Sequence, residues 1–261
     1  MSASPVILEA CGLRKRFGGL GALDGVDVRV RTGTVHGLIG PNGAGKTTLF
    51  NVLTGHLRPD AGRVILDGTD VTGQPPERMV GRGLARTFQT VQLFPEMTAL
   101  ENVRMGLHAK MRSGIVDAIF PTARARREEA MVTERAIEAL AFAGIALTQD
   151  IRAGELPYGL QRLVEIARAS VGEPRVLLLD EPAAGMNPGE SERLIDLVGR
   201  INARGTTVVI IEHDMDVVLS ACEVITVLDH GHVIATGSPA DVQEDPCVLQ
   251  AYLGAWAVAD A

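Results

Sequence analysis

The alternation of apolar runs with turn residues divides the chain into three parts. In the first part, short apolar runs predict strands at residues 6–10, 26–30 and 35–39. A further run at residues 64–71 turns at Asp67-Gly68, a dipeptide typical of a tight hairpin. The strand at 35–39 leads directly into a glycine-rich loop, and a helix is predicted to begin near Lys46 and to cover residues 48–53.

The middle part, from about Glu96 to Gly154, has the period of helices. Apolar residues recur at spacings of three and four over residues 99–110 and 128–143, which predicts two amphipathic helices. The stretch 113–123 between them fits neither pattern. Because this block separates two parts that contain strands, we interpret it as an inserted helical subdomain.

The last part alternates helices with buried strands. After Gly159 the pattern predicts a helix to residue 170, a strand at 175–179, a helix at 190–203 and a strand at 207–211. Strands joined by helices imply right-handed crossovers and a parallel sheet that is covered on both faces. The chain is therefore expected to have an α/β fold.

Composition narrows the function. Hydrophobic residues make up 46% of the 261 residues, as in a globular protein, and the net charge of −7 argues against a nucleic-acid partner. Cys11, Cys222 and Cys247 lie far apart without metal-ligand spacing, so we interpret them as free thiols in a reducing compartment. The sequence shows neither signal-peptide features nor an apolar run of about 18–20 residues. We expect a soluble chain that acts at a membrane only through a partner.

The glycine-rich loop carries the strongest functional signal. Residues 40–48 satisfy the pattern G-x-x-x-x-G-K-[ST] between a predicted strand and a predicted helix. Glycines allow backbone N–H groups to converge on phosphate oxygens, the lysine places a positive charge against the terminal phosphates, and the next hydroxyl can bind magnesium. The predicted ATP-binding residues of this loop are Gly40, Pro41, Asn42, Gly43, Ala44, Gly45, Lys46, Thr47 and Thr48.

Acidic residues and a histidine follow two later strands. Asp180 and Glu181 end the strand at 175–179, and His213 follows the strand at 207–211. Since the carboxyl ends of parallel strands face the ligand crevice, these side chains are expected beside the loop. We assign Asp180 to magnesium, Glu181 to activation of water as a general base, and His213 to the terminal phosphate and the water.

These segments resemble the nucleotide-binding subunits of ABC transporters, and more narrowly the ATPase subunits of branched-chain amino acid importers. The likeness covers nearly the whole chain. It rests on residues 40–48, Arg-Thr-Phe-Gln at 86–89, Leu-Pro-Tyr-Gly-Leu-Gln at 156–161, residues 178–182, Ala-Ala-Gly-Met-Asn at 183–187, Ile-Glu-His-Asp-Met at 211–215 and the tail 245–254.

The resemblance implies a fold and a division of the chain. The fold is a P-loop NTPase core with a mainly parallel sheet, an N-terminal antiparallel β subdomain and an inserted α-helical subdomain. Residues 1–95 and 156–261 correspond to the core, and residues 96–155 to the helical subdomain, whose signature helix continues to about residue 170.

The resemblance also implies roles that spacing alone does not give. Phe17 corresponds to the aromatic residue that stacks on adenine, and Asn187 lies in a loop that crosses to a second ATPase subunit. Gln89 corresponds to a residue that contacts magnesium and the water and relays the nucleotide state to the helical subdomain. The magnesium ligands are then Thr47, Gln89 and Asp180, and the catalytic residues are Glu181, His213 and Gln89.

The signature segment, which completes the site of the second subunit, departs from the family pattern Leu-Ser-Gly-Gly-Gln. This chain has Pro157, Tyr158, Gly159 and Leu160 after Leu156, so the serine is missing. A proline offers neither a hydroxyl nor an N–H to a phosphate, although it suits the first turn of a helix. Losing such a contact costs about 1.5–3 kcal/mol. We therefore predict a heterodimer with unequal sites.

The resemblance implies several partners at the cytoplasmic face of the membrane. They are a second ATPase subunit, two permease subunits and a periplasmic or lipid-anchored solute-binding protein, with ATP and magnesium as cofactors and no nucleic acid. The solute stays open among branched-chain amino acids, other amino acids, amides and urea-type compounds. Two other functions are a non-transport ABC ATPase and a regulatory subunit that hydrolyses little ATP. Pro157 supports the regulatory subunit, whereas Gln89, Glu181 and His213 argue against it.

Overall fold

Two β-sheets of different architecture form the framework of the molecule. The computed structural model describes residues 5–108 and 123–259, with side chains up to residue 252. The first sheet is antiparallel and contains β1 (Val6–Phe17), β2 (Leu20–Arg31), β4 (Ala61–Leu66) and β5 (Thr69–Asp70), in the order β2-β1-β4-β5.

The second sheet has six strands and carries the strand ends that matter for function. It contains β3 (Val35–Ile39), β6 (Leu84–Arg86), β7 (Val176–Asp180), β8 (Thr207–Ile211), β9 (Val224–Asp229) and β10 (His232–Gly237). Their order is β10-β9-β3-β8-β7-β6, and all neighbours are parallel except β10, which runs antiparallel to β9. The predicted mainly parallel sheet and the antiparallel N-terminal sheet are thus confirmed.

Nine helices accompany the sheets in the described part of the chain. They are α1 (Lys46–Leu53), α2 (Pro76–Gly81), α3 (Ala99–Met105), α4 (Ala123–Phe142), α5 (Tyr158–Ser170), α6 (Pro188–Ala203), α7 (Met215–Ala221), α8 (Pro239–Glu244) and α9 (Pro246–Ala259). Within residues 5–108 and 123–259, no helix combines the length and the hydropathy that a membrane span requires.

Two apolar cores lie on opposite faces of the parallel sheet. In β7, Leu177 and Leu179 pack into one core, which extends to α3, α4, α5 and α6. Val176 and Leu178 point the other way, into a core shared with the antiparallel sheet and α1. Because both faces are covered, every residue of β3, β7 and β8 is buried, which explains their nearly continuous apolar sequences.

Several element boundaries differ from the sequence-based expectations. β1 and β2 continue well beyond 6–10 and 26–30, because they pair as one long irregular hairpin that closes at Phe17 and Leu20. α3 ends at Met105 rather than at 110. There Gly106 lies against α5 so closely that a Cβ would stand 2.1 Å from the Arg168 carbonyl oxygen.

Two helix starts also differ. α4 is already helical at Ala123, five residues before the predicted start. The prediction missed these residues because the first turns are charged and show no apolar period. Pro157 is the N-cap residue of α5 rather than its first helical residue. Most of the unassigned stretch 113–123 lies outside the described residues, and the domain boundaries at 95 and 156 stay a prediction.

Candidate nucleotide site

The loop 40–48 runs from the end of β3 to the start of α1, as its pattern predicts. Two of its glycines are required by close backbone approaches. A Cβ at Gly40 would lie 2.0 Å from the Leu228 carbonyl oxygen, and a Cβ at Gly45 would lie 2.5 Å from the Ala22 carbonyl oxygen. Both glycines have positive φ, of 148° and 103°, and residues with a Cβ rarely adopt such a backbone conformation. The loop is therefore seated directly against β9 and β2.

The open end of α1 gives the loop its positive character. Gly45 caps the helix in a left-handed conformation, and no acidic residue occupies the first turn. The first N–H groups of a helix have no intrahelical acceptor and carry a partial positive charge. Thr47, in this first turn, is exposed. This end of α1 can therefore bind an anion such as a phosphate.

Lys46 is the cation of the loop. Its ammonium group donates to the carbonyl oxygens of Gly40 at 2.6 Å and Pro41 at 2.9 Å, so the side chain folds back over the loop. Burial lowers the pKa of Lys46, whereas the nearby carboxylates of Glu181 and Asp180 act in the opposite direction. The charge predicted to meet the terminal phosphates thus lies close to both acids at the end of β7.

Asp180 ends β7 and is paired with an arginine. Arg86 at the end of β6 donates to Asp180 Oδ2 at 2.7 Å, and both side chains are almost wholly buried. The same guanidinium donates to Asn51 at 2.7 Å and Thr54 at 3.0 Å, at the last turn of α1. The centre of the Phe88 ring lies 5.0 Å from the guanidinium carbon of Arg86. Arg86 therefore joins the strand end that carries Asp180 to the helix that follows the loop.

Glu181, Gln89 and His213 come together beside this pair. Gln89 Nε2 donates to Glu181 Oε2 at 2.9 Å, and His213 Nδ1 lies 3.8 Å from the same oxygen. Glu181 has a positive φ of 45°, a conformation that residues other than glycine adopt rarely. Two side chains, those of Gln89 and His213, thus approach the carboxylate of Glu181. The sequence predicted that Glu181 and His213 would meet at the carboxyl edge of the parallel sheet, and the family resemblance added Gln89.

The signature segment lies at the start of α5 and is tied to the loop that carries Gln89. Arg162 in α5 is fully buried and donates to the carbonyl oxygens of Phe88 at 2.7 Å and Gln89 at 2.6 Å. It also donates to the Tyr158 hydroxyl at 3.0 Å and forms an ion pair with Glu165. A displacement of the signature helix would therefore act directly on the backbone of Gln89.

Gly159 and Leu160 complete the segment. A Cβ at Gly159 would lie 2.4 Å from the Glu190 carboxylate, which itself caps α6 by accepting from the Asn187 N–H. Glycine therefore permits the start of α5 to approach the start of α6. Leu160 is partly buried against the helical core. The backbone N–H groups of Leu160 and Gln161 donate to the Pro157 carbonyl oxygen, as a helix requires.

Phe17 lies apart from these contacts. It closes the β1–β2 hairpin with half of its surface exposed, and the Lys15 ammonium stands 5.8 Å from its ring centre. Lys46, Asp180, Glu181, Gln89 and His213 form one cluster, whereas Phe17 and the signature residues line other parts of the surface.

Three charged residues of the site have buried or nearly buried side chains but were assigned no role from the sequence: Arg86, Arg162 and Glu212. Glu212 directly follows a predicted strand of the parallel sheet, so the argument used for Asp180 could have identified it. Arg86 ends β6, which is too short to be predicted from its pattern. Arg162 has no such signal. It occupies a helix position whose burial becomes apparent only when α5 packs against the loop before α3.

Comparison with known families matches residues 23–184 to the ABC transporter family. Residues 232–255 match the family described as branched-chain amino acid ATP-binding cassette transporter. The chain is 43% identical over 249 residues to BraF, a high-affinity branched-chain amino acid transport ATP-binding protein of Pseudomonas aeruginosa. That alignment covers 95% of this chain and 98% of the relative. Identity to LivG of Escherichia coli, which has the same description, is 40%, covering 96% of this chain and 99% of that protein.

Solved structures agree with this assignment. A nucleotide-free ATP-binding cassette of an ABC transporter superposes with a TM-score of 0.83 at 38% identity, covering 95% of this chain and 99% of that chain. An ADP conformation of a cassette gives 0.84 at 38% identity, covering 96% and 100%. The chain therefore belongs to the ATP-binding and ATP-hydrolysing subunits of ABC transporters, in the group described by branched-chain amino acid transport.

Proposed function

We propose that this chain powers the import of branched-chain or related amino acids by hydrolysing ATP on the cytoplasmic side of a membrane. The observation that carries the proposal is the similarity over nearly its full length to proteins described by high-affinity branched-chain amino acid transport. The match of residues 232–255 to the branched-chain family supports the same solute class.

ATP binds along the loop 40–48 in this proposal. Backbone N–H groups of the loop and of the first turn of α1 hold the phosphates, and Lys46 turns its ammonium group from the loop carbonyls to the terminal phosphate oxygens. Its present partners, the carbonyls of Gly40 and Pro41, lie within the loop itself, so this movement is short. Phe17, at the exposed end of β1, stacks on the adenine ring.

Glu181, Gln89 and His213, at the carboxyl edge of the sheet, activate the attacking water in this proposal. Glu181 is the general base, and its Oε2 is oriented by the Gln89 amide and faces the His213 ring. The second oxygen, Oε1, is left for a water molecule. His213 then contacts both the terminal phosphate and the water. Positioned bases of this kind contribute about 10²–10⁴-fold to a rate.

The residues present fit a magnesium ion. Thr47, Asp180 and Gln89 supply a hydroxyl, a carboxylate and an amide, which are hard oxygen ligands of the type that magnesium prefers. Because the Gln89 NH₂ group donates to Glu181, its carbonyl oxygen is free to face a cation. Arg86 occupies only Oδ2 of Asp180 in the described contacts, which leaves Oδ1 for the ion or its water. Held by these residues, a magnesium ion would supply positive charge that offsets the negative charge of the phosphate oxygens.

The site is half of a composite site in this proposal. The segment formed by Pro157, Tyr158, Gly159 and Leu160 completes the site of a second ATPase subunit, and that subunit's segment completes this one. Pro157 exposes no hydroxyl, so a heterodimer whose partner carries a serine there would have two unequal sites. Two permease subunits and a solute-binding protein complete the transporter, which places this chain peripherally on the cytoplasmic face.

Solute uptake tests the proposal. Cells of the source organism that lack this chain should lose most high-affinity uptake of radiolabelled leucine, isoleucine or valine, while uptake of lysine stays unchanged. Wild-type chain should restore uptake, and the Lys46→Ala variant should not. Unchanged uptake of all three branched-chain amino acids, with another amino acid affected instead, would transfer the proposal to that solute. Unchanged uptake of every amino acid tested would overturn it.

A further inference from the structure

Glu212 is a buried acid for which the proposed mechanism has no role. It follows β8 directly, and its side chain has no exposed surface. Among the described residues, no lysine or arginine forms an ion pair with it. A buried carboxylate without a cationic partner is costly unless hydrogen bonds compensate it. The contacts of Glu212 therefore indicate what its charge is used for.

Each carboxylate oxygen of Glu212 accepts a backbone N–H from a different loop. Oε1 accepts from Ala183 at 2.7 Å, in the loop after β7. Oε2 accepts from His213 at 3.2 Å, in the loop after β8. Burial raises the pKa of Glu212, and the N–H groups of Ala183, His213 and Asp214 oppose that rise. The carboxylate thus connects the loops that carry the base and the histidine.

The loop after β7 is held to the end of β8 and to the residue that follows it. The Glu181 N–H donates to the Ile211 carbonyl oxygen at 2.9 Å, and two residues later the Ala183 N–H meets Glu212. Glu181 itself has the rare positive φ, and such a conformation persists only where neighbouring contacts enforce it. The contact with Glu212 supplies the second of these constraints.

The His213 ring lies near the same acid. Its Nδ1 stands 3.8 Å from Glu212 Oε2 and 3.8 Å from Glu181 Oε2. The ring therefore lies between a buried carboxylate that is fixed by backbone and a partly exposed one that faces the phosphate site. Loss of the buried carboxylate would remove the acceptor of the His213 backbone N–H and the negative charge next to its ring.

We propose that Glu212 is a positioning residue for ATP hydrolysis. Its carboxylate fixes the loop after β7, which carries Glu181, relative to His213. The inference rests on the proposed roles of Glu181 and His213. It requires two acceptor oxygens. A glutamine offers one acceptor and turns an NH₂ group toward the other backbone N–H, so Glu212→Gln should break one of the two connections while keeping the shape of the side chain.

ATP turnover and ATP affinity separate this role from a general effect on folding. In the assembled transporter with MgATP, Glu212→Gln should lower kcat about tenfold to a hundredfold while the Kd for a fluorescent ATP analogue changes less than threefold. Glu212→Asp, which keeps the charge but is too short to span both loops, should show the same split. The matched control is Glu223→Gln, because Glu223 accepts the Val35 N–H at 3.3 Å at the far end of the sheet. That control should keep kcat and Kd.

Hydrogen exchange on the wild-type chain tests the geometry without any variant. The Ala183 and His213 amides should exchange slowly although they lie in loops. Fast exchange of both would overturn the proposal, as would Glu212→Gln with kcat within twofold of wild type. Glu181→Gln, measured alongside, distinguishes the two failures: a slow Glu181→Gln with a normal Glu212→Gln removes only the role of Glu212, whereas a normal Glu181→Gln removes the proposed base.

Discussion

Arg86 donates to Asp180 Oδ2 at 2.7 Å, and the pair is almost fully buried between the phosphate-loop helix and the parallel sheet. The proposed magnesium ligand is thus positioned by an arginine that reaches it from β6. Through Asn51 and Thr54, the same guanidinium also binds the end of α1. Two halves of the nucleotide site that are distant in sequence are joined by one side chain.

Removing Arg86 should destabilise the fold. In Arg86→Met the apolar stem is retained, but the Asp180 carboxylate is left buried without its cation, a change that typically costs about 3–5 kcal/mol of unfolding free energy. Denaturant unfolding measures this. Arg175→Met is the matched control, because Arg175 pairs with Asp67 at the surface, and its stability should match wild type. Equal stability of Arg86→Met and Arg175→Met would contradict the assigned role of the pair.

Pro157→Ser should change both a helix and a rate. Serine at the N-cap of α5 can accept a free helical N–H, which is worth about 1 kcal/mol, and it supplies the hydroxyl that the family pattern provides. In the assembled transporter we expect ATP turnover to rise by roughly tenfold or more. Pro157→Ala removes the proline without adding a hydroxyl and should show neither gain. Equal turnover of the serine and alanine variants would contradict the prediction that the two sites are unequal.

His36 predicts a specific dependence of stability on pH. It is buried in β3, its Nε2 lies 2.9 Å from the Thr226 hydroxyl, and burial lowers its pKa to about 4. Above pH 6.5 the ring is neutral in both the folded and the unfolded chain. Between pH 6.5 and 4 the unfolded chain gains a proton that the folded chain excludes, so the unfolding free energy falls by roughly 3 kcal/mol.

The variant His36→Gln isolates this contribution. It cannot titrate, so its stability should decline less than that of wild type as the pH is lowered from 7 to 4.5. The measurement is the unfolding free energy of both proteins across that range. Parallel curves would show that His36 is not buried in its neutral form.

The sequence predicts several of the strands that build the site, because each of them is visible as a short run of apolar residues. β3 and β8 match the predicted bounds, since a strand buried on both faces reads as a short apolar run. β6 was not predicted, because its three residues are too few to show a pattern. The end of α3 was also predicted too late, since the close approach of Gly106 to α5 is a tertiary contact.

The sequence motifs identified the proposed catalytic groups but not the residues that those groups and their neighbours contact. A phosphate loop and acids at strand ends were sufficient to place Lys46, Asp180, Glu181 and His213 at one edge of the sheet. Nothing in the sequence indicates that Arg86 pairs with Asp180, which lies 94 positions away, or that Glu212 accepts from Ala183. Such contacts depend on the order of strands in the sheet, and that order places β6, β7 and β8 side by side.

The most direct test of the account is ATP hydrolysis by Glu181→Gln. Glutamine retains the shape of the side chain and can still contact Gln89, so the nucleotide pocket should stay intact, yet an amide cannot accept a proton from water. We expect ATP to bind with a Kd within threefold of wild type, and single-turnover hydrolysis to slow by about 10²-fold or more. Hydrolysis near the wild-type rate, with ATP bound at the loop 40–48, would contradict the assignment of Glu181 as the general base.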